Sequence, residues 1–407
     1  MKIVIIGAGH AGGSAAALIK ASAFEGEIVL IGEEPVAPYQ RPPLSKAWLK
    51  GEADLESLLL RPEAYYVEQG IALRTGVVAT DIDRAERSVT LSDGSVETWD
   101  ILILATGSIG RRLPIPGADR PDLIELRSLP DAERLKARLG PGRRLVIVGG
   151  GYVGLEAAAS ARALGTKVVL LERLDRVLKR VASEPLSTFF TDRHRAEGVD
   201  IRLNVEVVGF EDGGVRLADG TLVGADVVLV GVGALANDSL ARAAGLDCDS
   251  AGSGGILVDE NARTSDPSIY AIGDVTVRPI PVHGLTMRLE SVPNALEQAR
   301  QAAHAIVGRA QAAPEVPWFW SDQYDIKLQI AGLPHDADRT IVRGDPGTGR
   351  FAVFHLCGDR MVCVEAVSAP PEFMAGKQMI GRRTAVDTTR LADPAISMKA
   401  VALDATG

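Results

Sequence analysis

The chain has 407 residues but only three cysteines and six histidines, and each shortage excludes a chemistry. Cys248, Cys357 and Cys363 show neither metal-ligand spacing nor a close redox pair, and the histidines form no pair or ligand cluster by spacing. No apolar run reaches membrane-spanning length; the best, Val227 to Leu235, is far too short. There is no excess of positive charge either. A formal charge of -9 argues against a nucleic-acid partner, yet leaves room for a local basic patch facing an acidic protein. Strand-like residues begin at Lys2, so no signal peptide or presequence is expected, and a reducing cytoplasm fits best. Nothing suggests disorder: 46% of residues are hydrophobic and 24% charged.

Glycine is plentiful, at 43 residues, and its placement organises the chain. The all-apolar run ending Ile3-Val4-Ile5-Ile6 suits a strand buried on both faces, and Gly7-Ala8-Gly9-His10-Ala11-Gly12 opens an alanine-rich helix. A second strand, Glu27 to Gly32, ends at Glu33-Glu34, which completes a β-α-β unit with its glycines in the first turn. The pattern recurs: strand Arg144 to Val148, turn Gly149-Gly150-Gly151-Tyr152-Val153-Gly154, helix Leu155 to Leu164, strand Lys167 to Leu171, then Glu172. In each copy an Asp-Gly hairpin turn, Asp93-Gly94 or Asp219-Gly220, precedes the next apolar strand at the same spacing, which points to internal duplication. From Pro317 the texture changes to clustered aromatics and alternating runs, Arg350 to Leu356 and Met361 to Val367, about Gly358-Asp359, with a helix near Pro371 to Gly381. The expected fold class is α/β, with two Rossmann-like dinucleotide-binding domains and a C-terminal α+β domain. The boundaries are 1–110 with 235–316, then 111–234, then 317–407, with Ala310 to Pro317 as linker.

Glycines at these positions let the backbone approach a pyrophosphate at the positive end of the following helix. Gly7, Gly9 and Gly12 form one such set and Gly149, Gly151 and Gly154 the other. The acid after each second strand, Glu33 or Glu172, suits ribose hydroxyls. A carboxylate at Glu172 hydrogen-bonds a free 2′-hydroxyl and repels a 2′-phosphate, which favours NADH over NADPH despite the adjacent Arg173.

Pro38-Tyr39-Gln40-Arg41-Pro42-Pro43-Leu44-Ser45-Lys46, Ala105-Thr106-Gly107 and Ile269-Tyr270-Ala271-Ile272-Gly273-Asp274 resemble the FAD-dependent pyridine-nucleotide reductases. More narrowly, Arg288-Leu289-Glu290-Ser291-Val292-Pro293-Asn294-Ala295 and Trp318-Phe319-Trp320-Ser321-Asp322-Gln323 are similar to the putidaredoxin reductase-like ferredoxin reductases of bacterial oxygenase systems. The resemblance implies FAD on Gly7, Gly9 and Gly12, with Glu33 on its ribose, Arg41 and Lys46 toward the flavin, and Asp274 on the ribityl chain. A strand-end Gly-Asp brings a carboxylate and a free backbone N–H near sugar hydroxyls. The same resemblance gives Ala11, Pro42, Val78, Ala105, Thr106, Gly107, Arg127, Gly273, Glu290, Ser291, Val292, Tyr152, Val153 and Gly233 to the two cofactors. Trp320 lies against the flavin by resemblance; by its neighbours alone it suits an aromatic packing cluster equally. Disulfide reductases of this scaffold carry two cysteines four apart after the FAD fingerprint region, and Leu30 to Leu60 has none.

The expected function is therefore a flavoprotein that takes a hydride from NADH onto FAD and passes single electrons to a [2Fe–2S] ferredoxin serving a monooxygenase or aromatic-ring dioxygenase. A rubredoxin reductase, or an NADH-binding flavoprotein resembling apoptosis-inducing factor, is the alternative. A monomer or weak homodimer is expected. Lys46, Glu156 and Trp320 are the candidate catalytic residues. Lys46 precedes no local acid, and Glu156 follows the second fingerprint at the start of a helix that, in the fold the resemblance implies, points toward the nicotinamide and flavin, so an ion pair between them is expected. Arg288, Arg300 and Lys327 are expected to form a basic docking patch.

Overall fold

Strand Lys2–Ile6 is apolar from Ile3 on because it has a neighbour along each edge, Glu27–Gly32 and Ile101–Leu104, both parallel to it. These three, with Ile71–Thr75 and Ile269–Ala271 outermost, make a five-stranded sheet in a computed structural model that describes residues 1–403. Residues 404–407 of the expected third domain lie outside the described residues. The helices His10–Ala21 and Val292–Ile306 bury alanines in one core, Ala11, Ala15 and Ala16 with Ala295, Ala299, Ala302 and Ala303. Small side chains let the helix backbones lie close to one another.

A second parallel sheet repeats the first. Its order is Val199–Arg202, Lys167–Leu171, Arg144–Val148, Val227–Val230, which matches Ile71–Thr75, Glu27–Gly32, Lys2–Ile6, Ile101–Leu104. Each copy also carries a three-stranded antiparallel sheet, and its last turn is the Asp-Gly pair, with Gly94 at φ 82° and Gly220 at φ 86°. The C-terminal sheet is antiparallel, in the order Trp318–Gln323, Ile326–Gly332, Arg360–Val367, Arg350–Cys357, Arg339–Asp345, and the helix Pro370–Arg382 follows it.

The described chain gathers into two compact units. One joins Met1–Arg41, Asp54–Ile109 and Ala234–Glu315; the other joins Pro42–Ala53, Gly110–Gly233 and the residues from Val316 on. Pro42–Ala53, expected with 1–110, groups with the second unit. The cause is packing: Leu49 is 1% exposed in a core with Leu135 and Leu155, and Lys136 Nζ sits 4.9 Å from the Trp48 ring. Residues of 111–234 and of 317–403 likewise share one core. Leu186 and Phe190 pack there with Phe351, Val353 and Val367, and Phe189 meets Phe351 edge-on at 5.2 Å. Glu365 ties the helix Glu184–Ala196 to the C-terminal sheet by accepting from Ser183 N at 2.9 Å and from the Ser183 hydroxyl.

His194, on that helix, is fully buried, and burial pushes its pKa down to about 4. The folded ring stays neutral where the unfolded chain takes up a proton, so stability is lost as pH falls from about 6.5 to about 4. His194→Gln is expected to flatten that acid-side loss by about 3 kcal/mol. Urea unfolding at a series of pH values measures it; an unchanged slope in the variant would show that other groups cause the loss.

Candidate functional site

In the first fingerprint each glycine answers a different demand. Gly7 has φ 112°, and a Cβ there would stand 2.1 Å from the Ala105 carbonyl oxygen. At Gly12 it would stand 1.9 Å from Gly7 O, so only glycine lets the helix close on the strand. At Gly9 a Cβ would meet nothing within 4 Å, so no packing within the protein requires glycine there. Gly9 is also the N-cap of His10–Ala21 and supplies no side-chain cap, so the positive helix end faces that open side. An open glycine over an uncapped helix end fits a dinucleotide pyrophosphate. Glu33 is exposed at the end of the second strand, within the same unit. His10 is held neutral, its pKa pushed down to about 4 by burial and then by the Arg41 charge.

The remaining first-unit residues are fixed by specific partners. Thr106 Oγ1 donates to Asn237 O at 2.7 Å, and Gly107 O, at a residue with φ 69°, accepts from Asn237 N at 3.0 Å. Arg41 Nη2 lies 2.9 Å from Glu34 Oε1, with the guanidinium 5.4 Å from the Tyr39 ring. Ala11 and Ala105 are buried, and Val78 is 41% exposed. Ser291 Oγ caps the helix Val292–Ile306 by accepting from Asn294 N. The Gly273 N–H donates to the buried Gln298 Oε1 at 2.8 Å. Ser108 Oγ donates to Asp274 Oδ2 at 3.4 Å.

The second fingerprint has the same geometry. A Cβ at Gly149 (φ 110°) would lie 2.4 Å from Gly231 O, one at Gly154 would lie 2.5 Å from Gly149 O, and one at Gly151 would meet nothing within 4 Å. Gly151 caps the helix Tyr152–Ala163 with no side chain. Glu172 is pinned at this turn, Oε2 accepting from Gly150 N at 2.7 Å and Oε1 from Leu174 N at 2.8 Å. Its charge is thus held beside the glycines. Val153 is left 46% exposed at the helix start, whereas the Tyr152 ring packs on Phe319 at 4.6 Å. Arg127 precedes the capping box of the helix Leu129–Lys136, and Gly233 O accepts from Arg111 N at 2.9 Å.

Lys46 and Glu156, 110 residues apart, form the expected ion pair: Lys46 Nζ is 2.7 Å from Glu156 Oε2. Pro42 opens the 3₁₀ turn Pro42–Ser45 that delivers Lys46. Two hydroxyls unforeseen from the sequence complete the site. Ser45 Oγ donates to Glu156 Oε2 at 2.5 Å, and Ser321 Oγ donates to Oε1 at 2.6 Å. Glu156 is 5% exposed, and its carboxylate is surrounded by donors, as a buried charge requires. Trp320 is half-buried, 5.6 Å from Trp318, whose ring meets Phe373 and lies under Lys377 Nζ at 5.0 Å.

The docking patch needs correction. Arg288 is 9% exposed at its side chain, pairs with Glu290 at 2.7 Å, and donates to Ser253, Asp274 O and Ala234 O. It is an internal brace, and Glu290 is its partner. Arg300 pairs with Glu315 at 2.8 Å, which neutralises it locally, while Lys327 is exposed. Periodicity gave no signal of these acids.

Residues 1–299 match the family model described as pyridine nucleotide-disulphide oxidoreductase, and residues 318–402 match one described as reductase C-terminal. The chain is 48% identical to the probable ferredoxin reductase CtmF of Castellaniella defragrans, covering 99% of each chain. It is 42% identical to putidaredoxin reductase CamA of Pseudomonas putida, over 98% of this chain and 96% of that one. Among solved structures, the covalent putidaredoxin reductase–putidaredoxin complex superposes with a TM-score of 0.94 at 43% identity, over 98% of this chain and 97% of that one.

Proposed function

We propose, from the premise that this chain belongs to the pyridine nucleotide-disulphide oxidoreductase family, that it is an NADH-dependent ferredoxin reductase of an oxygenase system. The observation that carries the reading is the pair of fingerprints, each with an uncapped helix and a middle glycine facing open space. Gly7, Gly9, Gly12, Glu33, Thr106, Gly107 and Asp274 would hold FAD, and Gly149, Gly151, Gly154 and Glu172 would hold NADH. Bound FAD supplies the exchange of one hydride for two single electrons. The chain's own residues bind, orient and set charge. The uncapped helix ends receive the pyrophosphates, Glu172 takes ribose hydroxyls, and Lys46, oriented by Glu156, supplies a fixed positive charge. The three cysteines are free, Cys363 buried and Cys357 exposed, and the proposed electron path does not use them. The relatives' names supply a ferredoxin or putidaredoxin as acceptor and a dioxygenase context; the [2Fe–2S] cluster of the acceptor belongs to the proposal. A cytoplasmic setting completes the proposal, supported by three unpaired cysteines; no helix among the described residues is long and apolar enough to cross a membrane.

The test is NADH-driven cytochrome c reduction with and without added ferredoxin, with rubredoxin in a parallel arm. Stimulation by a [2Fe–2S] ferredoxin is expected; stimulation by rubredoxin alone would overturn the acceptor. Coenzyme choice gives a separate prediction. Glu172→Gln removes the charge that opposes a 2′-phosphate, so the NADH-over-NADPH ratio of kcat/KM should narrow about 10-fold or more. Equal efficiency with both coenzymes in the parent protein would sink the role given to Glu172.

A further inference from the structure

Behind the Lys46–Glu156 pair the second unit carries a line of polar side chains through an otherwise apolar core. Ser321 and Gln323 share one face of the strand Trp318–Gln323 and are 0% and 1% exposed; His194, on the helix Glu184–Ala196, is 0% exposed. Tyr324 follows the strand with φ 57°. Glu156 Oε1 lies 2.6 Å from Ser321 Oγ, Ser321 Oγ 3.2 Å from Gln323 Nε2, and Gln323 Oε1 2.8 Å from His194 Nε2. His194 Nδ1 lies 3.0 Å from Tyr324 Oη.

The donor at every step follows from the carboxylate end. An ionised carboxylate paired with Lys46 only accepts, so Ser321 donates to it. Gln323 then donates its amide N–H to Ser321 Oγ, which turns its carbonyl oxygen toward His194. That oxygen accepts, so Nε2 of His194 carries the proton. A neutral ring leaves Nδ1 as an acceptor, and the Tyr324 hydroxyl donates to it. All four hydrogen bonds run the same way.

We propose that Tyr324, His194, Gln323 and Ser321 form a one-way hydrogen-bond chain that positions the Glu156 carboxylate and, through it, the Lys46 ammonium. The positioning role rests on the reductase reading above; the chain itself does not. Bonds aligned in one direction polarise one another, so the last donor, Ser321, is the strongest and the least replaceable by water. Among the described residues Ser321 supplies the one hydrogen bond to Oε1, while Lys46 and Ser45 both bond Oε2. Ser321 therefore fixes the plane of the carboxylate, which the other two leave free to turn. The burial that depresses the His194 pKa keeps the ring neutral and the direction single. Charged groups gather at the outer end: Arg193, 5.2 Å from the Tyr324 ring and paired with Glu197 and Asp325, and Arg162, which also acts on Tyr324.

The experiment uses full-length holoprotein labelled with ¹⁵N-histidine, with His194 assigned by its loss in His194→Gln. The expected signature at pH 7 is a neutral ring in the Nε2–H tautomer. Tyr324→Phe removes the outermost donor and should leave the Nε2–H tautomer in place, because the carboxylate end sets the direction. Ser321→Ala should slow flavin reduction by NADH about 10-fold with KM for NADH within about 2-fold, the pattern of a misoriented group rather than a lost binding contact. An Nδ1–H tautomer or a protonated ring at pH 7 would overturn the chain. A folded Ser321→Ala protein reducing its flavin at the parent rate would overturn the positioning role. Should Glu156→Gln leave flavin reduction by NADH unchanged, the catalytic reading of the pair fails and the positioning role with it, while the tautomer still decides the chain.

Discussion

Gly151→Asp is expected to fold, keep its flavin and lose NADH-driven reduction by about three orders of magnitude. The substitution separates two reasons for glycine in one motif. At Gly154 a Cβ would stand 2.5 Å from a backbone oxygen, so substitution there attacks the fold; at Gly151 the Cβ enters open space and φ is an ordinary -82°. Asp is a preferred N-cap, so the helix Tyr152–Ala163 should gain a few tenths of a kcal/mol from it. The same carboxylate then takes the helix-end N–H groups that a pyrophosphate would use, and repels it. Two unit charges about 4 Å apart at an effective dielectric near 20 cost about 4 kcal/mol, or roughly a thousandfold in affinity. Thermal unfolding, flavin content and stopped-flow reduction by NADH read the three consequences, with dithionite reduction as the control that the flavin itself is still reducible. A variant reduced by NADH within about tenfold of the parent would move the pyrophosphate away from Gly151.

The sequence displayed what local chemistry encodes. Strands Glu27–Gly32, Arg144–Val148 and Lys167–Leu171 fall where the apolar runs end, because a strand buried on both faces needs an uninterrupted run and each run here stops at a glycine or a charge. The duplication was legible for the same reason, since Asp-Gly turns sit at fixed distances from the strands they serve. What was not legible depends on partners distant in sequence. Ser321 reaches Glu156 across 165 residues, and no periodicity in Trp318–Gln323 marks one hydroxyl as a donor to a distant acid. Arg288 read as a surface cation because nothing beside it tells that Asp274 O, Ala234 O and Ser253 will surround it. Pro42–Ala53 was assigned by adjacency, yet Leu49 finds its core in the other unit. Lys46 and Glu156 are the exception: an unpartnered cation, an acid directly after a fingerprint and the fold that the resemblance implies together led to the expected pairing.

That pair gives the second large effect. Lys46→Met should cost about 3–5 kcal/mol of stability at neutral pH, because Glu156, 5% exposed, keeps a buried charge and loses its cation. Lys46 is itself only 18% exposed at its side chain, so water does not readily replace it. Removing both charges, as Lys46→Met with Glu156→Leu, should recover most of that loss, since a buried pair replaced by apolar groups is often near neutral. A residual deficit of about 1–2 kcal/mol is expected from Ser45 and Ser321, whose hydroxyls lose their acceptor. Function should not recover with stability. If Lys46 supplies fixed positive charge to the reaction, both variants reduce their flavin with NADH about 100-fold more slowly, however well the double variant folds. Urea unfolding of the four proteins of the cycle, beside stopped-flow reduction of each, separates the two contributions. A single variant that loses under about 1 kcal/mol would show Glu156 to be satisfied without Lys46. A double variant that regains both stability and rate would reduce the pair to a structural tie.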